Sequence, residues 1–230
     1  RNRIIVPIHD RQKRVIGFGG RSLDGSEPKY LNSPETEIFE KGKNLFGLDK
    51  SATSIRKKDY AVVVEGYFDV MALHDSDITN VVASLGTALS RNQITLLSRS
   101  TDSKKILLNF DSDNAGIRAA NRAISEVESL AIQGQLDLRV LQLPANKDPD
   151  EFLRDNSPSE YEALATKAPL WMDWQIDQSL KDLDLSKSEQ FQVAVSDLVS
   201  LLSKLPQTAI RTHYLQKVAQ RLSGGQGRFA

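Results

Sequence analysis

Between residues 60 and 143 the chain repeats one pattern, a short apolar run followed by a turn and an amphipathic stretch, and this alternation restricts the fold more than any other feature. The runs at 60–64, 80–84, 105–110 and 138–143 are dominated by valine, isoleucine and leucine. They read as strands buried on both faces, where no polar alternation is required. The amphipathic stretches begin at 69–74, then span 90–99 and 115–131, with Thr87 or Ser90 as the cap of the second and Gly134 closing the third. Strands alternating with helices predict an α/β fold built on a parallel sheet flanked by helices.

The flanks read differently. Residues 4–8 and 14–18 predict a hairpin around the polar turn Asp10-Arg11-Gln12-Lys13, and 22–54, with Pro28, Pro34 and several glycines, predicts an irregular region with short elements only. Beyond Pro149 the pattern is helical, with breaks at 156–158, 183–186 and Pro206 that separate three or four helices. Ser223-Gly224-Gly225-Gln226-Gly227 reads as the start of a linker into a longer protein. The expected organisation is a small mixed α+β basic subdomain over 1–58, the α/β domain over 59–155 and a helical subdomain over 156–230.

The 230 residues include no cysteine, which removes disulfides, cysteine zinc sites and thiol nucleophiles from consideration in this chain. No apolar stretch reaches membrane-spanning length, so no membrane partner is expected. The net charge of zero hides a segregation: 13 basic against 8 acidic residues in 1–60, 9 against 14 in 61–155, and 8 against 8 in 156–230. A basic lobe beside an acidic one suits an enzyme that holds a polyanion on one surface and cations on another.

Acidic residues fall where the predicted strands run out, and ligands of open α/β sheets bind at the carboxyl ends of strands. Glu65 follows the first strand directly, then Gly66 allows a turn, and Asp69 lies in the first turn of the next helix. Asp111 and Asp113 follow the third strand, and an extended backbone there would put both carboxylates on one side. Asp148 and Asp150 follow the fourth, with Pro149 between them. Six converging carboxylates repel one another unless cations lie among them, and an all-oxygen donor set favours Mg²⁺, with Mn²⁺ as a substitute, over zinc. Two such ions can hold a triphosphate and activate an attacking hydroxyl. Glu65, longer than Asp and on its own strand, suits a general base or a mobile ligand.

Glu65-Gly-Tyr-Phe-Asp-Val, Asp111-Ser-Asp-Asn-Ala-Gly and Lys147-Asp-Pro-Asp-Glu resemble the Toprim motifs of bacterial DnaG-type primases. Pro28-Lys-Tyr-Leu-Asn-Ser-Pro-Glu-Thr, with Gly17-Phe-Gly-Gly-Arg-Ser before it, resembles the basic subdomain of the same family. The resemblance implies RNA primer synthesis on single-stranded DNA from nucleoside triphosphates, leaving an RNA–DNA hybrid. It puts catalysis and metal binding on Glu65, Asp111 and Asp113, and accessory metal positions on Asp69, Asp148 and Asp150. The family's basic ridge, which holds template and nucleotide phosphates, corresponds to Arg21, Lys29, Asn32, Lys41 and Lys43. It further implies zinc only in a domain absent from this chain, a replicative helicase bound through an absent C-terminal domain, and a location in the bacterial cytoplasm at the nucleoid or in a DNA-containing organelle. Ser112 and Asn146 stand where the family usually has glycine; asparagine visits left-handed backbone readily.

Other features weigh less. Gly17-Phe-Gly-Gly opens no helix and lacks the Lys-Ser or Lys-Thr of a phosphate loop. His9, His74 and His213 show no metal-ligand spacing, Trp171 and Trp174 read as helical core, and Arg56-Lys57-Lys58 reads as a solvated approach to the first strand. Two competing functions are an aspartyl-phosphate phosphatase, with Asp111 as nucleophile, and a non-catalytic Toprim module that only binds nucleic acid. Against the first, the motif lies on the third strand and Ala115 stands where such enzymes place threonine.

Overall fold

The structure, a computed structural model, describes residues 2–86 and 88–223. Thr87 and the glycine-rich segment from Gly224 onward lie outside the described residues. The chain forms two compact units, 1–170 and 171–230.

The first unit opens with an antiparallel sheet of β1 (Arg3–His9), β2 (Val15–Ser22) and β3 (Tyr30–Asn32) in that order. Asp10 closes the β1–β2 turn, since its Oδ1 accepts from the backbone of Gln12 and Arg14. Contrary to the expectation of short elements alone, an eleven-residue helix α1 (Leu48–Lys58) follows. Its buried stripe is Leu48, Ser51 and Ile55, and Arg56, Lys57 and Lys58 form its last turn, where cations meet the negative helix end. Those residues approach the next strand as the end of a helix, with Arg56 and Lys57 exposed, and Lys58 Nζ pairs with Glu162 at 2.6 Å.

The parallel sheet follows as β4 (Tyr60–Val64), β5 (Val81–Ala83), β6 (Lys105–Leu108) and β7 (Asp137–Val140), arranged β5-β4-β6-β7. Val62 lies opposite both Val81 and Leu107, and Leu107 lies opposite Arg139. The connecting helices are α2 (Tyr67–Asp75), α3 (Arg91–Ser98) and α4 (Asn114–Ile132). Val62, Val64, Val81, Ala83 and Leu107 join one core cluster with Val70 and Leu73 of α2. Ala61, Val63, Val82, Ile106 and Leu108 are equally inaccessible and point to the opposite face, where α3 and α4 pack. Ser90 caps α3 and forms a capping box with Gln93, whose Nε2 also donates to Lys41 O at 2.9 Å and Asn44 O at 2.6 Å.

The fourth strand is shorter than expected. Pairing stops soon after Val140, and Pro144–Asn146 forms a single tight turn with Ala145 at φ 58° and Asn146 at φ 56°. The asparagine that replaces the usual glycine thus occupies left-handed backbone. Two short helices complete the unit, α5 (Pro149–Asp155) and α6 (Pro158–Lys167). Phe46 ties the segment before α1 to the edge of the parallel sheet through reciprocal backbone hydrogen bonds with Ala83, 2.9 and 3.1 Å long.

The second unit contains α7 (Trp171–Leu180), α8 (Ser188–Ser203) and α9 (Ala209–Leu222). From Pro149 onward the described residues therefore hold five helices, because Pro169 forces a break that composition did not mark. Trp171 and Trp174 are buried as expected of core residues.

Candidate active site

At the carboxyl ends of β4, β5 and β6 lies a cavity of about 320 Å³. Its wall holds Glu65, Asp69, Asp111 and Asp148 on one side and Lys29 and Asn32 on the other. Glu65 is placed there because the ladder of β4 ends at Val64. Its Oε1 accepts from Asp111 N at 3.1 Å, which joins the two strand ends. Asp69 lies in the first turn of α2, and its Oδ2 accepts from Gly66 N at 3.1 Å, so one carboxylate both caps the helix and faces the cavity. Asp148 caps α5, accepting from Glu151 N at 2.7 Å.

The backbone leading to Asp111 is held from below. Asn109 N donates to Val63 O at 2.8 Å, the buried Tyr161 hydroxyl donates to Asn109 Oδ1 at 2.7 Å, and Asn109 Nδ2 donates to Leu141 O at 3.3 Å. The paired ladder of β6 ends at Leu108 and the chain bends at Ser112 and Asp113, although Asp113 itself keeps extended angles of φ −79° and ψ 174°. Asp113 caps α4, with Oδ1 accepting from Ala115 N and Gly116 N at 2.8 Å each. Asp150 occupies the first turn of α5 and pairs with Arg154. Neither Asp113 nor Asp150 lines the cavity.

Like charges crowd this place. Burial, then the neighbouring Asp148, push the Asp69 carboxyl up to about 7, with Asp111 and Glu65 adding to the rise. Glu65 is raised by burial and by Asp111, and Asp111 by burial, Asp148 and Asp113. A raised carboxyl stabilises the fold while protonated, so its contribution is complete below the ordinary value of 3.8 and is lost as pH rises through about 7. Asp69→Asn, which keeps the oxygen acceptor, is therefore expected to stabilise the chain at pH 8 without divalent cation by on the order of 2–4 kcal/mol. The gain should vanish near pH 4. Thermal denaturation in chelator at both pH values checks this, and identical melting of variant and wild type at pH 8 counts against it.

The donor set is all oxygen and short of positive charge, which suits a hard divalent cation in kind. Among the described residues no three of these side chains converge closely enough to hold one ion.

The basic side is more selective than expected. Asn32 Nδ2 donates to Leu85 O at 2.9 Å, anchoring β3 to the end of β5, while Asn32 Oδ1 is buried with no partner. Tyr67 OH, also on the cavity wall, is likewise buried and unsatisfied. Polar atoms left unpaired at a cavity wall are what a bound ligand satisfies. Arg21 stacks over Phe68 at 4.7 Å and faces Tyr30 at 5.7 Å, and Lys29 Nζ lies 5.6 Å from the Tyr30 ring centroid. Tyr30 meets Tyr67 edge-on at 5.7 Å. Lys41 is held through its backbone by Glu35 and Gln93, and Lys43 pairs with Glu40 at 2.7 Å. Arg21, Lys41 and Lys43 are not on the cavity wall. Tyr30, Tyr67 and Ser84, which are, do not emerge from the acidic pattern; the local signal for the first two is an aromatic beside Lys29 and another after Glu65-Gly66.

Known proteins resemble this chain in sequence and fold. A family model described as Toprim-like matches residues 62–153, and one for the N-terminal domain of the DNA primase catalytic core matches 1–52. A third, for the DnaB-helicase binding domain of primase, matches 172–227, so the expectation that such a domain lies outside this chain is corrected. The chain is 61% identical over 230 residues to the DNA primase of Synechococcus elongatus, covering 100% of this chain and 33% of that protein. It is similar to the crystal structure of a DNA primase domain from Pseudomonas aeruginosa at 37% identity and a TM-score of 0.80, covering 97% of this chain and 69% of that one. It is also similar to a DnaG primase catalytic domain bound to single-stranded DNA at 35% identity and a TM-score of 0.78, covering 96% and 70%. The chain spans about a third of the length of the curated relatives it matches.

Proposed function

Because the chain belongs to the DnaG-type DNA primases, we propose that it carries the polymerising site of a protein that makes RNA primers on single-stranded DNA. The observation that supports this most is the single cavity in which Glu65, Asp69, Asp111 and Asp148 face Lys29 and Asn32. In this reading residues 1–58 hold template and nucleotide phosphates, 59–155 carry the chemistry, and 172–227 contribute to contact with the replicative helicase. The setting would be the cytoplasm at the nucleoid, or a DNA-containing organelle.

Magnesium, or manganese in its place, is the ion this donor set would take, and when bound it would neutralise triphosphate oxygens and favour loss of pyrophosphate. We assign Glu65, Asp111 and Asp113 to catalysis; a bound ion would draw together Glu65, Asp69, Asp111 and Asp148 from the cavity wall, with Asp113 and Asp150 as outer positions. Glu65 has the position and raised proton affinity of a group that accepts the primer hydroxyl's proton. Asn32 Oδ1 and Tyr67 OH orient the nucleotide, and Arg21 with the Tyr30 and Phe68 rings forms a stacking platform beside it. An aspartyl-phosphate enzyme is not favoured, since the relatives of this chain are DNA primases and primase catalytic domains. The test is template-directed incorporation of labelled ribonucleotides by the full-length protein. Product that requires both single-stranded template and divalent cation is expected, and product indifferent to either would overturn the reading.

If Lys29 and Lys41 touch phosphates, changing each to Glu should weaken single-strand binding for all sequences and flatten its salt dependence by about 0.7 of log–log slope per contact. Fluorescence anisotropy of a labelled oligonucleotide across a salt series measures this. An unchanged slope in the double variant would leave the basic lobe as solvated surface.

A further inference from the structure

A second cavity, of about 430 Å³, opens between β1, the start of α1 and the outer side of α2, and none of its lining residues is among those assigned to the polymerising site. Its walls are Val6, Pro7, Phe46, Val70 and Met71. That volume and apolar lining are those of a small-molecule site, which needs in addition a few fixed polar groups. One such group is Asp49 in the first turn of α1, whose side chain is only 6% exposed. His9 Nδ1 lies 3.9 Å from its Oδ2, beyond hydrogen-bond length, so the carboxylate stands almost out of water without a close donor from that ring.

The remaining titratable groups around the cavity do not offset this acid. Burial lowers the proton affinity of His74, which stays neutral near pH 7 with Nε2 shared between Ser51 Oγ at 3.1 Å and Val81 O at 3.3 Å. Lys50 and Asp75 are both solvent-exposed at the rim and carry opposite charges. We propose that this cavity is a second binding site, taking a small organic cation whose apolar body fills the Val6–Phe46–Met71 walls and whose positively charged N–H donor reaches Asp49.

The site would report to the first one through shared walls. Phe46 lines it and lies 5.6 Å from the ring of Tyr67, which lines the catalytic cavity, and Val70 follows Asp69 directly on α2. Gly47 permits this closeness: its φ of 82° is left-handed, and a Cβ there would stand 3.1 Å from Val70.

Tryptamine and its neutral analogue tryptophol are suitable probes, titrated into the full chain and followed by amide chemical shifts. Tryptamine is expected to bind saturably with a dissociation constant of about 1 mM, the range for a molecule of that size. Shifts should centre on His9, Asp49 and Met71 and extend to Tyr67. Tryptophol should bind about tenfold more weakly, the effect of one charge-assisted hydrogen bond, and Asp49→Asn should reduce tryptamine to the tryptophol level. Met71→Trp, which fills the cavity, should abolish both. Equal affinity for the two probes in wild type, shifts that avoid these walls, or no saturation at tenfold higher concentration would overturn the proposal. The two-probe comparison in wild type stands even if Asp49→Asn does not fold.

Discussion

Neutralising Asp111 to Asn, or Glu65 to Gln, is expected to reduce primer synthesis by the full-length protein by about 10²–10⁴-fold, the scale of removing one positioned charge or proton acceptor from an active site. Both changes preserve shape. The amide introduced by Glu65→Gln retains an Oε1 acceptor for Asp111 N, which now donates to the carboxylate at 3.1 Å, so the strand ends should stay joined. Asp111 precedes α4 and takes no capping role there, since Asp113 performs that. Each variant also relieves a carboxyl that burial and its neighbours hold above its usual range, so neither should melt earlier than wild type without divalent cation. The combination of lost synthesis, retained stability and retained template binding distinguishes a chemical role from a structural one. Primer yield on gels, melting temperature and oligonucleotide anisotropy at matched protein and Mg²⁺ measure the three. Wild-type yields from both variants would remove Glu65 and Asp111 from the chemistry.

What can be seen in the chain alone follows from where its physical signals are local. The parallel sheet is legible because Val62, Val64, Leu107 and their neighbours are buried on both faces, and such burial requires uninterrupted apolar runs. Ser90 is legible as a cap because capping is a contact over three residues. The helix over 48–58 is not: its buried stripe uses a serine between Leu48 and Ile55, and Gly47 reads as a turn whether or not a helix follows. Asp113 is legible as an acidic neighbour of Asp111, whose carboxyl it helps to raise, but its second task as the cap of α4 is not. The facing of Lys29 and Asn32 to Asp69 and Asp148 is a tertiary fact. It depends on Asn32 reaching Leu85 and Phe46 pairing with Ala83, contacts between segments that share no sequence signal.

Gly116 shows the same limit at one atom, and its replacement by alanine is the second large effect expected. In the motif Asp111-Ser-Asp-Asn-Ala-Gly the last residue sits in the first turn of α4, where nothing about its backbone requires glycine. On helix propensity alone, Gly116→Ala would stabilise the chain by about 1 kcal/mol. A Cβ there, however, would lie 2.0 Å from Asp111 O, 2.7 Å from its C and 2.8 Å from its N. These are backbone atoms fixed between β6 and the cap of α4, so no rotamer change relieves the overlap, and the cost of overpacking, about 1–3 kcal/mol or more, outweighs the propensity gain. Either the helix start or the Asp111 backbone must move, and a shift near 1 Å at a reacting group reduces turnover by about 10²-fold. Gly134→Ala is the control: with φ 69° and no atom within 4 Å of the added carbon, it strains the backbone locally without touching Asp111. It should lose about 1 kcal/mol of stability and keep primer synthesis. Gly116→Ala should melt earlier than wild type or, if it melts alike, still fail in synthesis. Wild-type melting together with wild-type synthesis would show that Asp111 does not depend on a bare backbone at residue 116.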